Sequence, residues 1–390
     1  MNRWRVPLLR ILAPIAAVGF AMVVAGIVLK ISGNDPFDAF ATMWDSAKED
    51  ASIASIVDRS VPLYLSGVAF AIAFKMALFN IGVEGQYTIA AITAAFVGAQ
   101  LHLPAVIHVS LILLVAMAVG TLWAAIPGVL KVTRGVHEVI STIMLNFIAV
   151  SLAGYLLANH WLDRSDETLN LQTEKIDPSG WFPDLYHFAP TLSNNPLLDE
   201  QISTPGPAIN AIVLIGILIG VIYYVLIWRT RFGFDLRASG LNPFAAQASG
   251  VAPKAMVVKG MLLSGAVAGL VGMPTLLGFS HNYGLDFATG LGFSGITVAL
   301  LGRNHPIGIA IGALLLAFLD RSAQALDLEN IPKEIVVIME GVIVLSVVVA
   351  YELVQRLIES QQRRMVGNAT PDIDIDPGPA TAGGPAGAPA

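Results

Sequence analysis

Apolar runs recur along the whole chain, each halted by a short polar, glycine or proline break. A helix that crosses a bilayer needs about 20 apolar residues, because its backbone polar groups must be satisfied internally in hydrocarbon. By that measure spans are predicted at 10–31, 59–76, 84–100, 106–130, 138–158, 207–228, 256–278, 288–302, 306–323 and 334–355. The fold class predicted is therefore an all-α polytopic membrane protein of about ten transmembrane helices. The eighth stretch, GLGFSGITVALLG, is short and glycine-rich, which suits a half-helix or re-entrant segment. The first run is longer than the apolar part of a signal peptide, and no small-x-small cleavage site follows it before SGNDPF, so it reads as a retained span.

Composition agrees: 55% of the 390 residues are hydrophobic and 13% charged, where a soluble domain carries roughly a quarter. The charges are segregated. Arg3, Arg5 and Arg10, then Lys75, Lys131 and Arg134, Arg229 to Lys254, Arg303, and Arg356 to Arg364 fall on alternate breaks. The positive-inside rule makes that side cytoplasmic and both termini with it. The acidic stretches at 34–50 and 159–206 fall outside. The predicted organisation is a cytoplasmic N-terminus (1–9), a transmembrane domain (10–358) with an extracytoplasmic loop at 159–206 and a cytoplasmic loop at 229–255, and a Pro/Gly/Ala-rich tail (359–390) expected to be disordered. Two halves of five spans each would be related by inverted topology. Trp161, Trp181, Phe182, Tyr186 and Phe188 make the outer loop either an interfacial aromatic belt or a docking surface.

Absences narrow the chemistry. There is no cysteine, hence no disulfide or thiolate chemistry, and the seven histidines show no metal-ligand spacing. No GxxxxGK[ST], GxSxG or redox motif occurs. A multi-span chain so equipped moves a solute rather than transforming it.

Three stretches break the apolar pattern. FNIGVEGQ (79–86) places Asn80, Glu84 and Gln86 among apolar runs. It reads either as a turn near the inner face, since Lys75 marks a cytoplasmic end, or as a broken span lining the path, since Gly82 and Gly85 disfavour an undisturbed helix. GVHEVI sets His137 and Glu138 at the entrance of span five, as a first-turn acid favoured by the helix dipole or as part of an inner gate. Asn146, deeper in that span, suits a helix–helix hydrogen bond or a contact with substrate. In the basic loop, LNPFAAQASGV predicts a short helix with Asn242 as N-cap, Pro243 at the first position and Gly250 as its end. That helix suits a plug for a cytoplasmic socket, or an interfacial helix on headgroups. Gly265–Gly269 and Gly308–Gly312 are GxxxG pairs expected to pack helices closely. His281, Asn282 and Tyr283 fall at the outer end of span seven, in an interfacial loop or a vestibule.

Phe244-Ala245-Ala246 with Gly250 has the spacing of the coupling loop of ATP-binding-cassette importer permeases, with Phe in place of the usual Glu. FNIGVEGQ, GVHEVISTIMLNFIA and GFSGITVALLGRNHPIG further resemble the nucleoside permeases of the ribose/simple-sugar branch. The resemblance implies a membrane subunit of an importer, in the plasma membrane of a prokaryote, that carries nucleosides. It makes Asn242, Pro243, Phe244, Ala245, Ala246 and Gly250 the contact with an ATPase. It also implies a related but different second permease, a lipid-anchored extracytoplasmic binding protein, and no cofactor on this chain, since ATP and Mg would sit on the ATPase. The substrate path is expected at Asn80, Glu84, Gln86 and Asn146. A simple-sugar permease is the alternative within this branch. An ion-coupled secondary transporter is the alternative outside it; that class requires ionisable residues deep in the spans, and apart from Glu84 few are expected there.

Overall fold

The computed structural model describes residues 19–164, 170–183, 185, 209–329, 331–332, 334–346, 349 and 356. The N-terminus at 1–9, the tail at 359–390, Tyr186 and Phe188 lie outside the described residues. Those described are helical, joined by turns and one isolated antiparallel bridge between Gln172 and Gly284.

In chain order the helices are α1 (Gly19–Ile31), α2 (Pro36–Ala47), α3 (Asp50–Phe74), α4 (Val83–Ala99), α5 (Ala105–Arg134), α6 (Glu138–Asn159), α7 (Ile212–Arg229), α8 (Arg231–Leu241), α9 (Pro243–Ala248) and α10 (Pro253–Gly269). They continue with α11 (Met273–Thr275), which runs into a wider π turn at Leu276–Ser280, then α12 (Leu291–Leu301) and α13 (Pro306–Leu328). A further helix covers 334–346.

Six of these are long and apolar enough to cross a membrane, or up to seven if α1 and α2, bent by 119°, count as one span. Ten were expected. The difference has physical causes. The third and eighth expected spans are real but short, at 17 and 11 residues, because each starts inside the bundle rather than at its surface. The first and tenth fall only partly within the described residues. The acidic stretch expected as a loop after span one is α2, capped by Asp35 and seated on α13 through Ala39 and Met43. The second span starts at Asp50, nine residues before the expected boundary at 59, so Asp58 and Arg59 lie within the helix.

Burial orders the bundle. α3 and the α10–π segment are the most enclosed, and α4 is buried on nearly every side. α5, α6 and α7 are peripheral, and expose Leu114, Leu122, Phe147, Ile148, Leu218 and Val221. Apolar side chains turned outward are what a lipid-facing helix carries, and the chain is a multi-pass membrane protein. α5 packs on α10 through glycines. A Cβ added at Gly265 would strike the Gly120 carbonyl and Ala124, and one at Gly269 would strike the Ala116 carbonyl. The first predicted GxxxG pair is thus a close-packing face. In the second, Gly308 sits against Gly302 across the α12–α13 turn and Gly312 against Leu301.

The acidic end is tied down by its own loop. Thr173 N–H donates to the Tyr283 carbonyl (2.9 Å) and Ile176 N–H to that of His281 (2.8 Å). Trp181 stacks on His281 (3.9 Å) and Trp161 on Phe96 (4.6 Å), so both tryptophans pack onto helix ends. The Asp177 carboxyl is held below its ordinary range by the His102 imidazole and by the Ser179 N–H.

Candidate functional site

The polar residues of FNIGVEGQ meet at the start of α4, and every one has a partner. Asn80 and Gln86 pair amide to amide, Asn80 Nδ2 to Gln86 Oε1 at 3.0 Å and Gln86 Nε2 to Asn80 Oδ1 at 2.9 Å. Asn80 Nδ2 also donates to Ser264 Oγ on α10 (2.8 Å), which donates on to the Ala69 carbonyl of α3 (2.6 Å). The free N–H groups of the α4 N-terminus are taken by side chains: Gly82 N–H by Asn80 Oδ1 (3.1 Å) and Gly85 N–H by Asn146 Oδ1 of α6 (2.9 Å). Asn146 Nδ2 donates to the Ile81 carbonyl (3.0 Å). A helix that starts inside hydrocarbon needs such caps, since no water can supply them.

Glu84 caps a different helix. Its carboxylate accepts from Gly290 N–H (2.7 Å), Gly292 N–H (2.8 Å) and the Tyr87 hydroxyl (2.8 Å). Those amides open α12, whose own N-cap is Gly290 at φ +86°, a residue with no side chain to do the task. A carboxylate at a helix N-terminus is favoured by both hydrogen bonding and the helix dipole. The approach requires glycine, because a Cβ at Gly292 would strike the Glu84 backbone.

Two rulers place this hub in depth. Asn146 is eight residues into α6, roughly 12 Å at 1.5 Å per residue. From Leu291, α12 runs 11 residues, roughly 16 Å, to its turn at the basic end. The hub therefore stands roughly 12–16 Å along α6 and α12 from the basic end of the bundle. Residues 75–82 lead from the basic end to the start of α4, an arrangement that favours the broken-span reading of FNIGVEGQ over the inner-face turn.

The basic end carries the second feature. Asn242 Oδ1 accepts from Phe244 and Ala245 N–H (3.0 and 3.1 Å), Pro243 takes the first position of α9, and Gly250 follows at φ +85°. Phe244 and Leu241 are 84% and 88% exposed, and Ala245 and Gln247 are exposed too. Ala246 faces inward and is buried, so it does not belong to the outward surface of the predicted contact. α8 ends against the break before α4: a Cβ at Gly240 would lie 2.6 Å from the Lys75 carbonyl oxygen.

His137 and Glu138 lie apart from the hub. His137 caps α6 through Val139 N–H (3.3 Å), and Glu138 pairs with Lys131 across the Gly135 turn.

A third feature was missed from the sequence. A cavity of about 660 Å³ opens between α3, the π turn, the start of α12, α13 and the helix at 334–346. Asp58, Arg59, Asp320, Glu340, Ser294 and Phe279 line it. Arg59 pairs with Asp320 at 2.9 Å, with their side chains 42% and 58% exposed. None of Asn80, Glu84, Gln86 or Asn146 lines it; Gly290, which Glu84 holds, does. The available signal was ionisable residues at the edge of, or inside, the expected spans at 59–76, 306–323 and 334–355. The structure brings them together on one wall, where Arg59 and Asp320 are about half exposed and not buried deep in the spans. Among the described residues, no group of three or more His, Cys, Asp or Glu side chains is placed to hold a metal.

Comparison with known proteins agrees with this architecture. The chain is 35% identical over 346 residues to the guanosine ABC transporter permease protein of Bacillus subtilis, covering 88% of this chain and 94% of that one. It is 29% identical over 351 residues to the nucleoside ABC transporter permease protein of Lactococcus lactis (88% and 92% covered). With the glucose ABC transporter permease protein of Haloferax volcanii it shares 30% identity over 338 residues (86% of each). No solved structure matches. Residues 52–348 match the family described as branched-chain amino acid transport system / permease component, and the chain belongs to that family of permeases.

Proposed function

We propose that this protein is the membrane permease of an ATP-driven importer for nucleosides, in the plasma membrane of a prokaryote. The observation that carries the reading is 35% identity with a guanosine permease along nearly the full length of both chains. The basic end is then cytoplasmic, and the end of α8 and α9 present Leu241 and Phe244 to a separate ATPase. A second permease completes the membrane domain, and an extracytoplasmic binding protein delivers the solute.

The contacts supply a route for coupling. A push on α9 bears on α8, and Gly240 bears on residues 75–76, which lead through the break into the hub. There Glu84 holds the first turn of α12, and that turn forms part of the cavity wall. Two short helices whose N-termini meet inside the bundle, α4 and α12, occupy the third position of each five-span half. α5 packs on α10 as α13 packs on α3. Both features support inverted halves, the arrangement in which interrupted helices flank a central path.

The test is uptake by the transporter reconstituted with its ATPase, second permease and binding protein. ATP-dependent accumulation of labelled guanosine, insensitive to collapse of ion gradients, is expected. Accumulation driven by a gradient without ATP would overturn the importer reading. A simple sugar is the second reading, favoured by the Haloferax relative; ATP-dependent uptake of glucose and not guanosine would establish it.

A further inference from the structure

We propose that the cavity beside the start of α12 is a nucleoside-binding station on the permease itself, with Phe279 taking the base and the Arg59–Asp320 pair the ribose hydroxyls. This rests on the nucleoside reading above and adds a site to it.

Arg59 and Asp320 lie inside α3 and α13, and both are about half exposed. Charged side chains in a span do not face lipid, because a charge is costly in hydrocarbon. A wall that carries them suits an aqueous solute path. A different groove, lined by Val57, Val61, Gly216, Ile217 and Leu314 between α3, α7 and α13, is almost wholly apolar and suits lipid.

The cavity has the size of a small-molecule site, roughly 300–1,000 Å³. Its wall offers what a neutral nucleoside needs. Phe279 is 48% exposed at the π turn, an aromatic face for a base. Asp320 carries acceptors for a vicinal diol and Arg59 carries donors, with Asp58 and Glu340 as further carboxyl groups on the wall. Ser294 adds a hydroxyl from α12. Because Glu84 grips Gly290 and Gly292, displacement of the hub would move one wall against the others and change the site's affinity during turnover.

The chain has no cysteine, so a thiol introduced at Ser294 or, as a second position, Thr289 is the only one it carries. In the complete transporter, Ser294→Cys and Thr289→Cys are expected to react with a membrane-impermeant methanethiosulfonate. Guanosine supplied during ATP turnover should slow that reaction at least five-fold. Ile217→Cys in the apolar groove should not react. Phe279→Ala and Asp320→Asn should raise the KM for guanosine uptake ten-fold or more, with Phe279→Tyr restoring it. Thiols that do not react, or that react equally with and without guanosine while uptake proceeds, would overturn the site and leave the nucleoside function standing. Protection by glucose and not guanosine would overturn the nucleoside reading and the ligand class together.

Discussion

Glu84 looks costly when read as one acid in an apolar run, yet it accepts three hydrogen bonds and sits at the positive end of a helix. Its cost is offset because α12 would otherwise open with amides that lack an acceptor. Glu84→Ala leaves the Gly290 and Gly292 N–H groups without their acceptor. At about 1–3 kcal/mol for each buried donor left unmade, the loss should total roughly 3 kcal/mol, seen as a lower unfolding temperature in detergent and reduced uptake. An unchanged unfolding temperature would show that the cap contributes nothing to stability. Asn80, Gln86 and Asn146 have the same character: their polar atoms are spent on the ends of α4 and on each other. Legibility stopped at this scale for a simple reason. Polar residues in an apolar run are visible in the sequence, but two of Glu84's three partners lie more than two hundred positions away.

At the scale of elements, α9 was legible because every determinant is local: the Asn242 side chain, the fixed φ of Pro243 and the positive φ of Gly250 lie within nine residues. What local sequence does not state is which side of so short a helix faces out. The fold decides it by burying Ala246 and exposing Phe244. Phe244→Glu is therefore expected to leave thermal stability unchanged and to cut ATP-driven uptake more than ten-fold. Ala246→Glu should instead lower the yield of folded protein, since it forces a carboxylate into a packed site. Size-exclusion chromatography beside uptake separates the two. If Phe244→Glu transports normally, α9 does not dock an ATPase through this face.

At the scale of the molecule, the three features adjoin from the basic end to the cavity, and Gly240 is the close approach of α8 to the break before α4. Gly240→Val would wedge α8 away from Lys75 and Met76 without touching the exposed face of α9. The expected result is ATP hydrolysis near the wild-type rate with uptake falling several-fold, an uncoupled transporter. If hydrolysis and uptake fall in proportion, the contact does not transmit motion.

Membrane class, most helix positions and the capped α9 were determined by the sequence alone, because hydropathy, charge bias and capping act over a few residues to about 20. Family membership was also written there, in motifs such as FNIGVEGQ. The tertiary structure decided where α4 and α12 begin, and which side of each charged helix faces its neighbours. A helix can start inside the bundle only where other segments supply its missing hydrogen bonds. Ionisable residues become a site only when separate helices turn them toward one space. Glu84 and the Arg59–Asp320 pair depend on neighbours that chain order keeps far apart, and folding alone brings them together.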